Sequence, residues 1–215
     1  MAASENIASI RRDYKSQSLE ESDVAQDAIV QFERWWRDAV NAQIDEVNAM
    51  TLATASAAGK PSARIVLLKG FTEKGFTFFT NYQSHKGSEL HENPDATLVF
   101  FWKELERQIR ISGIVEKISA EESDDYFNSR PEGSKLGAWI SAQSTVISSR
   151  LELEEKQIQL TEEFRGKEIH RPPHWGGYNL APAEIEFWQG RTSRLHDRIQ
   201  YIKRADEWLI QRLSP

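Results

Sequence analysis

Cysteine is absent from the 215 residues. That excludes disulfides, thiolate metal sites, cysteine nucleophiles and iron–sulfur ligation together, and it permits a reducing compartment. Long apolar runs are also missing. None approaches the roughly 18 residues that a spanning helix needs, and the opening Met-Ala-Ala-Ser-Glu-Asn does not read as a signal peptide. The expectation is a cytoplasmic protein with no membrane partner. Positive charge is in deficit, with 27 Lys+Arg against 33 Asp+Glu and a formal charge of −6. Bulk attraction to nucleic acid is therefore disfavoured, and any bound anion must be held by a local basic cluster. Neither G-x-x-x-x-G-K-[ST] nor G-x-G-x-x-G occurs, which argues against a P-loop nucleotidase or a Rossmann dehydrogenase. No G-x-S-x-G elbow supports a serine hydrolase. The five histidines form no compact metal-ligand pair, because Pro172 and Pro173 forbid a helix between His170 and His174. No metal is expected.

What is present is enough to fold. Hydrophobic residues make up 39% of the chain, with 7 Trp and 10 Phe, too aromatic for a disordered tail. Residues 1–26 are polar and without sustained period, and read as a mobile arm or lid; 27–215 read as a single domain. Ile29, Phe32, Trp36 and Val40 recur at helical steps and predict an amphipathic helix docked on a core. Alternation then predicts strands over 49–55, 63–69, 76–80, 96–102 and 107–117, with a short helix near 88–92. Five successive strands with short links favour a closed antiparallel barrel. Ser119 and Glu122 have capping-box spacing and open a helix that ends before Pro131. A charged helix over 148–164 and late strands over 178–180, 184–189 and 195–204 complete an α+β fold dominated by β.

Several segments could carry chemistry. Arg194, His196 and Arg198 share one face if their stretch is a regular strand, and three such groups in line call for an anion; a solvated face paired with acids is the equal alternative. Arg64 and Lys69 bracket an apolar strand, with odd spacing that puts them on opposite faces. The run 80–86 leaves a strand for a helix and brings Lys86 near a helix N-terminus, a place that suits phosphate. Arg130 and Ser134, with Tyr126 one turn back, offer a second anion site. Gln108, Gln143, Ser144 and Trp188 supply amide, hydroxyl and indole groups.

Together, Arg-Ile-Val-Leu-Leu-Lys at 64–69, Leu-Glu-Arg-Gln at 105–108, Ser-Arg-Pro at 129–131, Gly-Ala-Trp at 137–139, and Ile-Glu-Phe-Trp-Gln-Gly followed by Arg-Leu-His-Asp-Arg resemble the pyridoxine/pyridoxamine 5′-phosphate oxidases. The likeness runs from Arg-Arg-Asp-Tyr at 11–14 to the closing Arg-Leu-Ser-Pro. It implies an FMN-binding split barrel, an antiparallel barrel of six-stranded type with peripheral helices. It also implies a homodimer with FMN at the interface. The implied flavin contacts are Arg64, Ile65, Val66, Leu67, Leu68, Lys69, Phe79, Thr80, Lys86, Gln108, Gln143, Ser144, Trp188 and Arg198. The substrate phosphate would lie with Lys69, Tyr126, Arg130 and Ser134. Arg194 and His196 would flank the pyridine ring as the catalytic pair, beside Leu195, and Arg11, Arg12, Asp13 and Tyr14 would close over the site. One departure stands out: His85 occupies the position before the phosphate-binding lysine where the family commonly has Arg.

The implied activity is oxidation of pyridoxamine and pyridoxine 5′-phosphates by hydride transfer to FMN, with O2 as final acceptor. The rivals are a split-barrel flavoprotein with another substrate, such as a flavin reductase, and a non-enzymatic carrier or sensor of flavin or pyridoxal phosphate.

Overall fold

The computed structural model describes Asp13, Tyr14 and residues 17–215. Arg11 and Arg12 of the expected lid lie outside the described residues. Among the described residues the elements are α1 (Ala28–Asn41), β1 (Ala49–Ala55), β2 (Pro61–Leu67), β3 (Gly70–Thr72), β4 (Gly75–Asn81), α2 (His85–Glu92), β5 (Asp95–Trp102), β6 (Arg107–Lys117), α3 (Ala120–Ser129), α4 (Glu132–Ile140), α5 (Leu151–Glu163), β7 (Trp175–Gln189), β8 (Asp197–Arg204) and β9 (Glu207–Arg212). In hydrogen-bonded order the strands run β2-β1-β5-β6-β7-β4-β3, with β8 on β7 and β9 on β8. The fold is strand-dominated and antiparallel wherever register is defined, with helices at its periphery.

The chain divides into two compact units. The first comprises the described residues up to Val47, Phe100–Ile111 and Glu184–Pro215. Its helix α1 starts at Asp27, whose side chain accepts from the Ile29 and Val30 amides, a regular N-cap. The buried stripe of α1 is Ala28, Gln31, Phe32, Trp35 and Ala39, one position off the expected face; Val40 is 48% exposed. The reason lies at Trp35, whose ring packs edge-on to Phe187 at 5.2 Å and carries the Arg107 guanidinium at 4.3 Å. Trp36 remains partly exposed, stacked on Phe32 and edge-on to Trp102. Phe32, Phe100, Phe187, Ile199 and Tyr201 are fully buried and form this unit's apolar centre.

The second unit comprises Asn48–Val99 and Ser112–Ala183. Its β1–β2 hairpin pairs Ala49 with Leu67 through Ala55 with Pro61. The connecting turn needs Gly59 at φ 75°, where a side chain would be strained. Helix α3 carries the capping box that the sequence predicts, with Ser119 and Glu122 exchanging bonds. Pro131 does not simply stop the chain: it is the N-cap of α4, a helix the sequence reading lacks. Phe127, Leu136, Ala138, Ile169 and Trp175 pack α3 and α4 onto the start of β7.

Two expected breaks are differently placed. Residues 178–180 and 184–189 belong to one continuous strand, β7, through Pro182. Gly113 makes that possible, since a Cβ there would stand 2.0 Å from the Ala181 carbonyl oxygen. The last strand begins at Asp197 rather than at 195, because Thr192–Arg194 form a 3-10 turn.

Candidate active site

A cavity of about 1010 Å³ opens in the second unit. Its first wall is β2, where Arg64, Ile65, Val66 and Leu67 line the space, followed by Lys69. The expected opposition of Arg64 and Lys69 does not arise, because β2 ends at Leu67 and both residues face the same cavity. Leu68 is the exception: it is 4% exposed, absent from the lining, and its amide donates to the Asn48 carbonyl at 2.8 Å. Phe79 and Thr80 of β4, Lys86 of α2, Tyr126 and Arg130 at the end of α3, Ser134 of α4, and Gln143 and Ser144 complete the predicted lining.

Two cationic groups stand out in this wall. In the first, Lys86 Nζ donates to Gln143 Oε1 at 2.7 Å and to Thr80 Oγ1 at 3.1 Å. Ser84 caps α2 by accepting from the Gly87 amide, so the lysine is presented from the first turn of a capped helix. Burial, and then the nearby Arg64 charge, bring Lys86 down to about 8. A buried ammonium among neutral acceptors and another cation is short of negative charge. Arg64 is held by the Leu52 carbonyl at 3.1 Å, Thr54 Oγ1 at 2.6 Å, Ser62 Oγ at 2.6 Å and Glu89 Oε2 at 3.1 Å. Glu89 is the anchor of this set. Burial would raise its carboxyl, but hydrogen bonds from Ser62, Thr54 and Arg64 outweigh that and keep it ionised below the usual range. Its other oxygen lies 3.0 Å from His85 Nε2, so the divergent histidine lines the cavity while engaged by Glu89.

The second group is Arg130. Its guanidinium lies 4.4 Å over the Trp175 ring, and burial lowers its pKa. Nη1 is buried with no hydrogen-bond partner among the described residues. An uncompensated buried donor costs about 1–3 kcal/mol, more for a charged group, and a bound anion would remove that cost. Beside it Phe79 stacks on Tyr126 at 3.9 Å and 21°, and on Trp175 at 5.5 Å and 15°. This gives an aromatic wall next to a cation. Sequence reasoning missed Trp175, Ser141 and Glu89. The signal for Trp175 was the Gly176-Gly177 pair after it: a Cβ at Gly176 would lie 2.2 Å from the Tyr82 hydroxyl.

The other predicted residues belong to the first unit. Gln108 lies on β6 and is partly buried. Trp188 pairs across the ladder with Arg198, whose Nε and Nη2 grip the buried Glu186 carboxylate at 2.9 and 3.1 Å. His196 packs on Trp188 at 4.6 Å, and Tyr14 approaches both rings, at 5.8 and 5.9 Å. The Arg191 amide donates to His196 Nδ1 at 3.1 Å, leaving the neutral ring with its proton on Nε2. Burial and then Arg194 lower the His196 pKa, against a pull upward from Asp197. Arg194, His196 and Arg198 do not share a strand face. Arg194 ends the 3-10 turn at φ 62°, after Ser193 at φ 56°. Two successive non-glycine residues in the left-handed region store strain of order 1–3 kcal/mol each. Arg194 and Leu195 are exposed, as is Asp13. Among the described residues no cluster of His, Cys, Asp or Glu could hold a metal. No helix there is long and apolar enough to cross a membrane.

Comparison with known proteins bears on both units. Residues 36–160 match the family described as pyridoxamine 5′-phosphate oxidase, and residues 175–215 match the pyridoxine 5′-phosphate oxidase C-terminal dimerisation region. A pyridoxine/pyridoxamine 5′-phosphate oxidase from a Cyanothece species is 56% identical over 210 residues, covering 98% of this chain and 99% of the relative. Among solved structures, PhzG from Burkholderia lata, in complex with tetrahydrophenazine-1-carboxylic acid, aligns with a TM-score of 0.88 at 30% identity. That alignment covers 95% of this chain and 100% of the other. A pyridoxamine 5′-phosphate oxidase-related, FMN-binding protein from Nostoc punctiforme shares the fold at 17% identity and a TM-score of 0.69, over 89% of this chain and all of the other.

Proposed function

The chain belongs to the pyridoxamine 5′-phosphate oxidase family, with the split-barrel fold of its structural neighbours, and from that premise we propose that it oxidises pyridoxamine and pyridoxine 5′-phosphates to pyridoxal 5′-phosphate with FMN as cofactor. The observation that carries this reading is the buried Nη1 of Arg130, unpartnered among the described residues, in a cavity that also holds Arg64 and Lys86. Two separate cationic groups suit two phosphates, one of the cofactor and one of the substrate. The alcohol substrate and O2 give the aldehyde and H2O2; the amine substrate also consumes water and releases ammonia.

When bound, the flavin supplies the hydride acceptor and the route of electrons to O2. The protein supplies position and charge. Arg64 and Lys86 provide positive charge for the cofactor phosphate, with Thr80, Gln143 and Ser144 as neutral partners. Residues 65–67, Lys69, Phe79, Gln108, Trp188 and Arg198 complete the proposed cofactor contacts. Lys69, Tyr126, Arg130 and Ser134 take the substrate phosphate. Arg194 and His196 flank the pyridine ring and offset charge that develops as hydride leaves. Asp13 and Tyr14 close over the substrate, and a homodimer holds the cofactor at its interface, a reading supported by the dimerisation-region match.

The PhzG likeness favours a second reading, a reduced tricyclic carboxylate as substrate. Peroxide release separates the two. The first predicts release with pyridoxamine 5′-phosphate and none with tetrahydrophenazine-1-carboxylic acid; the reverse result would replace it by the second.

The depressed lysine makes a further prediction. Because Lys86 titrates at about 8 without an anion, binding of the cofactor phosphate above that pH draws in a proton. FMN affinity of the apoprotein therefore falls by up to about tenfold per pH unit from pH ~8 to ~9.5. Lys86→Met binds FMN more weakly and loses that slope, as fluorescence titration at several pH values would reveal. A wild-type affinity that is flat over this range contradicts the role given to Lys86.

A further inference from the structure

Asp197 follows His196 directly, yet none of the roles above uses it. Its side chain is 13% exposed and takes three donors. Oδ2 accepts from the Leu19 amide at 3.1 Å and from Arg191 Nη1 at 3.0 Å, and Oδ1 accepts from Arg212 Nη1 at 2.9 Å. Arg212 in turn donates through Nη2 to the Leu19 carbonyl at 2.9 Å and to Glu20 and Glu21 at 3.1 and 2.6 Å. Both backbone groups of Leu19 are thus bonded by side chains of β8 and β9, in a stretch with no helix or strand of its own. Leu19 is 5% exposed. A second tether stands two residues earlier, where Arg107 Nη2 donates to Gln17.

What this fastening holds is visible on either side of Asp197. Upstream, the Tyr14 ring lies against Gly190, so close that a Cβ there would be 2.7 Å from its Cγ, and packs on Trp188 and His196. Downstream of β7, the Arg191 side chain is held by Asp197 while the Arg191 amide donates to His196 Nδ1. One carboxylate is bonded both to Leu19, five positions after Tyr14 in the sequence, and to the residue that orients the histidine. Charge-assisted bonds to a mostly buried carboxylate are strong enough to set such an arrangement.

We propose that Asp197 is a positioning residue, a clasp that fastens Leu19 to β8 and thereby holds Tyr14 and Arg191 against His196. Its effect on activity rests on the oxidase reading above; its structural part does not. Asp197→Asn keeps the size and one acceptor oxygen but cannot hold two guanidinium groups.

In the FMN-loaded protein, amide exchange over 17–25 should quicken about tenfold or more in this variant, while β1 and β5 exchange as in the wild type. Unchanged exchange over 17–25 overturns the clasp. On the activity side, Asp197→Asn should lower kcat/KM for pyridoxamine 5′-phosphate about tenfold in the wild-type background and less than about twofold in a Tyr14→Ala background. Losses that simply multiply would mean that Asp197 acts independently of Tyr14, and would overturn the positioning role. Should Asp197→Asn fail to fold, Asp197→Glu, which keeps the charge but displaces the carboxylate from the Leu19 amide and from both guanidinium groups, carries the exchange test with the same two outcomes. If the wild type does not turn over pyridoxamine 5′-phosphate, the oxidase reading fails while the exchange result still decides the clasp.

Discussion

Arg130→Ala raises KM for pyridoxamine 5′-phosphate by about 30- to 150-fold while FMN stays bound. The magnitude follows from the loss of charge-assisted bonds to a phosphate, worth about 2–3 kcal/mol in a desolvated site. The unliganded protein should not suffer the same loss. Arg130 Nη1 is buried without a partner among the described residues, so truncation removes a desolvation cost along with the stacking on Trp175. A KM effect with an undiminished melting temperature in the unliganded protein is the signature of a residue kept for a ligand. Arg130→Lys restores only part of the affinity, since a point charge replaces a planar fork. An unchanged KM would remove the substrate phosphate from this end of the cavity.

Arg194→Ala lowers kcat by about 10²- to 10³-fold, the range found when one preorganised charge-stabilising donor is removed. FMN binding should persist, because Arg194 is proposed to meet the substrate ring and not the cofactor phosphate. The backbone supports a functional reading of this position. Ser193 and Arg194 both hold positive φ, at 56° and 62°, and the side chain is exposed at the end of a tight turn. Strain of that kind persists only where the surrounding structure enforces it. Stopped-flow reduction of the FMN-loaded variant measures the step directly, and an unchanged catalytic efficiency sinks the assignment.

Much of this was legible in the sequence, for identifiable reasons. Alternation located the strands because one face of each is buried, as in β1 and β6. The Ser119–Glu122 spacing located α3 because the capping bonds are local. The cavity wall was legible through the motif at 64–69 and through Lys86, Arg130 and Ser134, which the fold brings into one cavity.

The rest depends on tertiary contacts that no local pattern encodes. Trp35 displaces Trp36 from the core because Arg107 and Phe187 lie against it. Pro182 sits inside β7 because Gly113 leaves room for the Ala181 carbonyl. Pro131 reads as a stop but serves as a start, since a missing amide costs nothing at a helix N-terminus. The turn at Thr192–Arg194 is hidden because non-glycine residues adopt the left-handed region there. Glu89 looks like one more helix-surface acid, yet it bonds Arg64 and His85 together.

This chain is proposed to use a flavin to oxidise a phosphorylated vitamin substrate. The most direct test is the absorption spectrum of the FMN-loaded protein, taken anaerobically before and after pyridoxamine 5′-phosphate is added, and again after air is admitted. The flavin band should bleach with substrate and return with air as peroxide forms. A flavin band that stays unbleached by pyridoxamine and pyridoxine 5′-phosphates alike would contradict the claim.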